Sequence, residues 1–351
     1  MVSTRFMRLA GMLAALVIVG GCTGPGATAT PGATATPGAT ATPAATSTPV
    51  DITLAHSYVD TQPQVACGAK VIADEAAAAG VGLTINLFGN NTLGDDAARI
   101  QSVVSGDIDM DIQGASALSA LYAPMGTVDG AFVFDDSAHM ARFFTSDASK
   151  ALTDGFLTAT GVRILGAWNT GARQFTANKP IRTPEDLQGL KMRFPPSPQF
   201  LLNAAAMGAT AVEIAYSELY LALQQGTADG QENPLVNIKA INLPEVQDYV
   251  SLSSHQLSSN LVVMNDAKWS SLSAAQQAAL QAAVEKAMVD EPACVVTAEE
   301  AILDEFRTGG LMQVIDDVDR AAFRAKAEPY LRDNFTAEQV TVLDAIRSTA
   351  E

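Results

Sequence analysis

The fold is decided by residues 162–198, VRILGAWNTGARQFTANKPIRTPEDLQGLKMRFPPSP. Three short apolar runs, at 162–168, 173–177 and 190–194, have the β-branched and aromatic content that is typical of strands. Turn residues separate these runs, and helix-like stretches follow at 197–207 and 217–225. Strands that alternate with helices predict an α/β architecture in which helices cover both faces of a sheet.

The same alternation begins near the start of the body, at Asp51. Strand-like runs at 52–57, 83–88 and 107–113 alternate with helix-like stretches at 62–79 and 93–105. Near the end of the chain, 273–308 form one long helical pattern, which Gly309 and Gly310 close. A helix of this length can lie across two lobes and couple them.

The first 22 residues, MVSTRFMRLAGMLAALVIVGGC, have the features of an export signal. Two arginines precede an apolar run from Leu9 to Val19, which is shorter than the ~20 residues that span a bilayer. Small residues directly before Cys22 resemble the lipobox of bacterial lipoproteins, in which the cysteine thiol is acylated. We therefore expect a lipoprotein signal peptide at 1–21 and lipidation at Cys22. An ordinary cleaved signal with an incidental cysteine is the alternative.

A repetitive segment follows the cysteine. The sequence GATATP occurs at 26–31, 32–37 and 38–43, and a degenerate copy, AATSTP, occupies 44–49. Regularly spaced prolines favour extended polyproline-like conformations, and nothing in the segment can bury a core. We expect residues 22–50 to be a lipid-anchor cysteine with a Pro/Thr/Ala-rich tether, which holds the body at the outer face of the cytoplasmic membrane.

The charge balance excludes one class of partner. The chain has 38 acidic and 21 basic residues, a net charge of −17. Removal of the signal takes Arg5 and Arg8 and leaves 19 basic residues, a net charge of −19. Such a protein is not expected to bind nucleic acid through a basic surface. The remaining body of about 300 residues is long enough for two domains.

Motifs for catalysis are missing from the sequence. It contains no G-x-S-x-G elbow, H-E-x-x-H pair or Walker loop. Asp107, Asp109 and Asp111 have the opening spacing of a calcium loop, but Ile112 and Leu118 replace its glycine and glutamate. The chain's histidines, His56, His139 and His255, lack the spacing of zinc ligands. We therefore predict neither an enzyme nor a metal or cofactor site.

The body contains two cysteines, Cys67 and Cys294. Outside the cytoplasm two such thiols can form a disulfide. A buried free thiol explains each of them equally well, so the sequence leaves both possibilities open.

Several motifs, spread in order over the body, identify a family. They are NTLGDD at 91–96, G-x-x-D-M at 106–110, G-A-R-Q at 171–174, P-E-D-L-x-G-L-K-x-R at 184–193, S-E-x-Y-x-A-L-Q-x-G at 217–226 and D-G-Q-E-N-P at 229–234. Together they resemble the DctP family, the extracytoplasmic solute-binding proteins of TRAP transporters. The resemblance covers essentially residues 51–351.

The resemblance implies a two-lobed, periplasmic-binding-protein-like (Venus flytrap) fold that closes on an organic-acid anion. It also implies a separate TRAP membrane permease, driven by an ion gradient, that receives the solute. The lobes would interleave, with 51–171 plus 258–298 in lobe I and 172–257 plus 299–351 in lobe II. A solute sensor that presents the bound acid to a membrane signalling receptor would need the same cleft and is the alternative function.

Arg193 matches the family position that forms a two-pronged ion pair with the substrate carboxylate. A guanidinium suits this role because its planar fork donates two parallel hydrogen bonds and stays ionised. Pro195 and Pro196 end the strand directly after it, and Met192 and Phe194 give apolar cover on the alternate face. A surface ion pair at a strand end is the alternative role for this arginine.

Eight further residues are candidates for the cleft or its surroundings. Arg173 would lie near the carboxylate or form an ion pair on the strand surface. Asn233 would bond to a carboxylate or hydroxyl, and Tyr216 would pack on the carbon skeleton or in the core. Glu232, in a predicted turn that opens a helix, would orient an arginine or cap that helix. The remaining candidates are His56 and His255 for substrate hydroxyls, Trp168 for the cleft wall or the hinge, and Gln113.

The chain also departs from the family. Members that bind sialic acid have a glutamate and an arginine after the third strand, where this chain has Gln113, Gly114 and Ala117. Pro196 replaces an asparagine that is common just after the R-x-P element. Sialic acid is therefore not expected, whereas a smaller monocarboxylate, a sugar acid or a dicarboxylate would fit.

Overall fold

The computed structural model describes residues 48–350 of the chain. The predicted signal peptide, the predicted lipidation site at Cys22 and most of the predicted tether lie outside the described residues. By their contacts the described residues belong to one compact unit. No helix within 48–350 combines the length and the apolar character that a membrane crossing requires.

One mixed sheet of nine strands runs through the described part of the chain. Its strands are β1 Val50–Ala55, β2 Leu83–Phe88, β3 Met110–Gln113, β4 Val162–Ala177, β5 Lys191–Phe194, β6 Thr210–Glu213, β7 Gly230–Pro234, β8 Tyr249–Asn265 and β9 Gln313–Ile315. Their order is β2-β1-β3-β8-β4-β7-β5-β6, and β9 pairs with β8.

Helices connect the parallel strands at both ends of the sheet. β1 is parallel to β2 and β3, and β5 is parallel to β6 and β7, so each pair needs a crossover connection. The helices are α1 Lys70–Ala78, α2 Asp96–Ser105, α3 Ala115–Leu118, α4 Ser137–Thr145, α5 Lys150–Thr160, α6 Pro198–Met207, α7 Leu219–Gln224, α8 Leu235–Ala240, α9 Asp266–Ser271, α10 Ala274–Gly309, α11 Arg320–Asn334 and α12 Ala337–Arg347. The predicted α/β class is confirmed.

Two long antiparallel strands, β4 and β8, form the centre of the sheet. The predicted strands at 162–168 and 173–177 are one continuous strand, β4, and β8 was not predicted. The β4–β8 register shifts between Asn169 and Ala172, and Gly171 within the shift has φ +105°, a conformation that favours glycine. Both strands therefore continue, with a change of register, from one half of the sheet into the other.

The long C-terminal helix is confirmed. α10 begins after the capping box of Ser273 and Gln276 and ends at Gly310, whose φ is +64°. It packs on α1 and β4 and, further along, on α8 and β9. It thus contacts both halves of the sheet.

A disulfide joins Cys67 to Cys294, with 6.5 Å between their Cα atoms. Of the two possibilities that the sequence left open, the structure has the bonded one. It connects the π-helix Gln64–Ala69 to α10 across a sequence separation of 227 residues. Because the disulfide closes so long a loop, it lowers the conformational entropy of the unfolded chain and stabilises the folded state by roughly 5 kcal/mol at most.

Two carboxyl groups of α10, one buried and one half-buried, lie against the register shift of β4. Glu291 is fully buried beside Trp168, and burial raises its pKa well above the ordinary value. Glu299 accepts a hydrogen bond from the backbone N–H of Leu235 at 3.3 Å, and burial raises its pKa to about 7. Position 171 favours glycine because of its φ of +105°, and a Cβ atom there would also lie 2.5 Å from Glu299 Oε1.

The pKa of Glu299 makes stability depend on pH. Because it is raised from 4.5 to about 7, the folded state binds more protons than the unfolded state over that interval. The free energy of unfolding therefore falls as pH rises through the interval, by at most ~3 kcal/mol from this group. This contribution is absent in Glu299→Gln. In denaturant unfolding, the free energy of unfolding of the variant, relative to that of the wild type, should therefore be higher at pH 8 than at pH 5. An equal difference at both pH values would show that Glu299 is already ionised at pH 5.

The last helix crosses between the predicted lobes. α12 packs on the 3₁₀ segment Ala123–Asp129, where Thr127 Oγ1 donates to the carbonyl of Gln339 at 3.4 Å. His139 Nε2 lies 2.9 Å from the carbonyl oxygen of Ile346. The sequence places 299–351 in lobe II, whereas these contacts are with residues of lobe I. The lobe boundaries remain a prediction.

Candidate binding cleft

A cavity of about 250 Å³ lies beside the centre of the sheet. Its wall includes residues of both predicted lobes, among them Tyr58, Asp96, Gln113, Arg193, Tyr216 and Asn233. This volume is below the ~300–1,000 Å³ that is usual for drug-sized ligands, so the cavity suits a small metabolite.

A second depression, of about 550 Å³, lies between 131–135 and 324–347. Its arginines already contact carboxylates, since Arg324 and Arg347 lie near Asp135 and Arg332 pairs with Asp344. The cavity beside the sheet is therefore the better candidate for an anion site.

Arg193 presents its guanidinium to this cavity from β5. The residue is 1% exposed, and its Nε donates to the carbonyl of Ile214 at 2.7 Å. Its Nη1 and Nη2 are buried and have no hydrogen-bond partner among the described residues. Burial lowers the pKa to about 10, which leaves the group protonated at neutral pH. The fork thus offers buried donors that an anionic acceptor would satisfy.

Arg173 lines the same cavity but is paired with Glu232. Its Nε and Nη2 donate to the two carboxylate oxygens, and Nη2 also donates to the backbone carbonyl of Glu232 at 2.8 Å. Burial opposes ionisation of Glu232, but Arg173 outweighs it and holds the pKa of this carboxyl below its ordinary value. Of the two arginines, Arg193 is therefore the one with charge available for a solute.

His255 lies behind this ion pair and outside the cavity wall. Its ring stacks on Phe175 at 4.3 Å, Nδ1 lies 2.8 Å from Ser253 Oγ, and Nε2 lies 3.4 Å from Glu232 Oε2. Burial lowers its pKa below the ordinary value despite the neighbouring carboxylate. The expected bond between His255 and a substrate hydroxyl has no support in this geometry, because the neutral ring is enclosed by protein groups.

Asn233 and Tyr216 both line the cavity. Asn233 Nδ2 donates to Gln231 Oε1 at 2.6 Å, and its Oδ1 accepts from Arg173 Nη2 at 3.2 Å. Tyr216 Oη donates to the carbonyl of Asn237 at 3.2 Å. The prediction that D-G-Q-E-N-P forms a turn was wrong, since Gly230–Pro234 form strand β7, although helix α8 follows at Leu235.

Gln113 joins a buried polar network on the opposite wall. Its Nε2 donates to Asp111 Oδ2 at 2.7 Å. Asp111 accepts from Arg99, which is fully buried and also donates to Asp96 at 2.8 Å and to Ser57 at 2.9 Å. Arg99 thereby holds the Asp96 carboxylate in the cavity wall and balances its charge.

His56 and Trp168 do not line the cavity. His56 is 1% exposed, its Nδ1 accepts from the backbone N–H of Tyr58 at 3.3 Å, and its ring packs against Gly89. Burial, and then Arg99, lower its pKa to about 4, so the ring is neutral. Trp168 is 2% exposed and packs on Gly68, which places it in the core beside the register shift. The role of Trp168 at the hinge remains a prediction.

Two residues in the wall, Tyr58 and Asn260, were not singled out from the sequence. Asn260 lies on the unpredicted strand β8, and Tyr58 follows β1 in a loop. Neither belongs to a motif, so only the spatial neighbourhood identifies them. Asp96, by contrast, ends the NTLGDD motif and could have been found there.

Arginines and asparagines line this cavity of an α/β fold, an arrangement that suits the binding of a polar solute. The model of the DctP family, described as bacterial extracellular solute-binding protein, family 7, matches residues 55–338. The chain belongs to the DctP family. Within the described residues, no group of three or more His, Cys, Asp or Glu side chains is placed to hold a metal.

Relatives of known name share most of the length of this DctP-family chain. The sialic acid-binding periplasmic protein SiaP of Vibrio cholerae is 31% identical over 76% of this chain and 82% of its own length. The 2,3-diketo-L-gulonate-binding periplasmic protein YiaO of Escherichia coli is 32% identical over 77% and 82%. A TRAP periplasmic solute-binding protein of Polaromonas, solved with D-erythronate, is 27% identical with a TM-score of 0.80 over 86% and 99%. These matches confirm the predicted family and the fold.

Proposed function

We propose that this DctP-family protein captures an organic-acid anion in the cavity and delivers it to the ion-gradient-driven membrane permease of a TRAP transporter. The observation that carries the proposal is the Arg193 fork, whose Nη1 and Nη2 are buried without a partner among the described residues. A buried guanidinium is costly unless an anion pairs with it. SiaP, YiaO and the Polaromonas relative are each named for, or solved with, a carboxylic acid, namely sialic acid, 2,3-diketo-L-gulonate and D-erythronate. These relatives support a carboxylate as the ligand.

The cavity wall supports capture by closure of two lobes. Arg193, Tyr216 and Asn233 come from the range predicted for lobe II, and Asp96 and Gln113 come from that of lobe I. A ligand that touches both sets would hold the lobes together and would exclude water from the arginine. Exclusion of water strengthens the ion pair, because the local dielectric constant falls.

The proposal includes an extracytoplasmic, membrane-anchored location. The signal-like segment at 1–21, the small residues before Cys22 and the proline-rich segment to residue 50 support a lipid anchor with a tether. The disulfide agrees with an oxidising compartment. Anchoring would keep the binding protein close to its permease.

Thermal shift assays with matched carboxylates and their neutral amides test the proposal. A ligand that binds only the folded state raises the melting temperature. At a ligand concentration of one hundred times the Kd, the free energy of unfolding increases by ~2.7 kcal/mol. We expect at least one small carboxylate to raise the melting temperature in a saturable manner and its amide to have no effect. Equal shifts for acid and amide, or no shift with any carboxylate, would contradict the proposal.

A further inference from the structure

The amide of Asn260 has a fixed orientation in the cavity wall. Asn260 is 2% exposed, and its Nδ2 donates to the backbone carbonyl of Ser259 at 3.1 Å and to Tyr58 Oη at 2.7 Å. A carbonyl oxygen only accepts, so the atom that faces it is the amide nitrogen. Oδ1 is left buried, with no hydrogen-bond partner in the described part of the chain. Such an acceptor is costly unless a donor reaches it.

Tyr58 supplies the complementary group. Its Oη accepts the hydrogen bond from Asn260, which leaves the hydroxyl proton as a donor. Tyr58 and Asn260 both line the cavity. They therefore present a donor and an acceptor side by side. A ligand hydroxyl, which both donates and accepts, satisfies this pair, whereas a carboxylate only accepts.

The Asp96 carboxylate adds a second hydrogen-bond acceptor to the cavity wall, which also favours a ligand that donates. The Asp96 carboxylate lines the cavity and is held there by Arg99 and by the Ser57 hydroxyl, which donates to it at 2.6 Å. A second carboxylate of a ligand would meet the acceptor lone pairs of Asn260 Oδ1 and of the Asp96 carboxylate, neither of which can donate to it. Ligand hydroxyls would instead donate to both.

We propose that the cavity selects hydroxylated monocarboxylates over dicarboxylates, with Arg193 binding the carboxylate and the Tyr58–Asn260 pair binding a hydroxyl group. The inference rests on the proposed function, because it assumes that Arg193 holds the anionic end. It assigns specificity to Tyr58 and Asn260, which belong to none of the motifs that identify the family.

Matched ligand pairs test the selectivity by titration calorimetry on the disulfide-bonded protein. Galactonate and hexanoate have six carbons and one carboxylate each but differ in their hydroxyls. Erythronate and succinate have four carbons each; succinate has a second carboxylate at C4, where erythronate has a hydroxymethyl group, and it lacks the hydroxyls that erythronate carries on C2 and C3. We expect the hydroxylated member of each pair to bind at least ~10-fold more tightly. A succinate affinity equal to or above that of erythronate, or no measurable binding of galactonate and erythronate, would overturn the inference.

Two variants test the residues. Tyr58→Phe removes only the hydroxyl, and Asn260→Leu removes the amide at similar volume. Each should weaken galactonate binding at least ~10-fold and leave hexanoate binding within about twofold. Tyr220→Phe is the matched control, because its hydroxyl bonds to Glu245 on the exposed surface. If Asn260→Leu does not fold, Tyr58→Phe alone decides. An equal loss for galactonate and hexanoate would show a structural role and would overturn the assignment.

The failure of this inference can be told apart from failure of the proposed function. If succinate binds best and Arg193→Ala abolishes its binding, the protein is still an anion-binding protein, and only the hydroxyl selectivity is wrong. If the tightest of the four ligands binds Arg193→Ala as well as the wild type, the proposed anion site is wrong, and the inference falls with it.

Discussion

Replacement of Arg193 by alanine should weaken carboxylate binding at least ~100-fold. The fork can form two charge-assisted hydrogen bonds, each contributing about 1.5–3 kcal/mol, and both are lost in the variant. The fold should persist, because Nη1 and Nη2 make no hydrogen bond within the described chain and the side chain borders a cavity. Titration calorimetry with the carboxylate that gives the largest thermal shift measures the effect.

Two further variants complete the Arg193 experiment. Arg193→Lys keeps the charge but not the planar fork, so its affinity should lie between those of the wild type and the alanine variant. Arg182→Ala removes an arginine whose exposed ion pair with Asp317 lies away from the cavity, and it should bind as the wild type does. Unchanged affinity in Arg193→Ala would refute the role of this residue.

Glu232→Gln should lower the free energy of unfolding by about 3–5 kcal/mol in the absence of ligand. The change keeps the volume but leaves Arg173, whose side chain is 5% exposed, without its counter-charge. Loss of one partner of a buried ion pair costs this much because the remaining charge stays desolvated. Denaturant unfolding of the wild type and the variant at pH 7 measures the difference.

The matched control is Glu305→Gln, which breaks the pair with Lys239 on the surface. The side chains of Lys239 and Glu305 are both more than a third exposed, so Glu305→Gln should change the free energy of unfolding by no more than about 1 kcal/mol. Equal effects of the two substitutions would mean that Glu232 is not the main counter-charge of Arg173.

The sequence was informative where local pattern determines structure. The short run before Pro195 predicted strand β5 and placed Arg193 near its end. The helical pattern at 273–308, closed by Gly309 and Gly310, predicted α10 to within about one residue. The disulfide was undecidable, because 227 residues separate its cysteines and no local pattern relates them.

Side-chain direction is what the sequence could not give. Successive residues of a strand face opposite sides, so each change of register alters which residues can reach the cavity. β4 and β8 contain three such changes, and β8 itself was missed because its polar stretch SLSSHQLSSN lacks an apolar alternation. Hence His255 was expected in the cleft and lies outside it, whereas Asn260 was not considered and lines it. Tyr58, the hydrogen-bond partner of Asn260, is 202 residues away in the sequence, so no local pattern relates the two.

A crystal structure of the protein with its tightest-binding carboxylate tests the central claim most directly. The account predicts that the ligand lies in the cavity beside the sheet, with its carboxylate oxygens ~2.7–2.9 Å from Arg193 Nη1 and Nη2. A ligand bound elsewhere, or a carboxylate turned away from Arg193 while its Nη groups pair with protein oxygens, would contradict it.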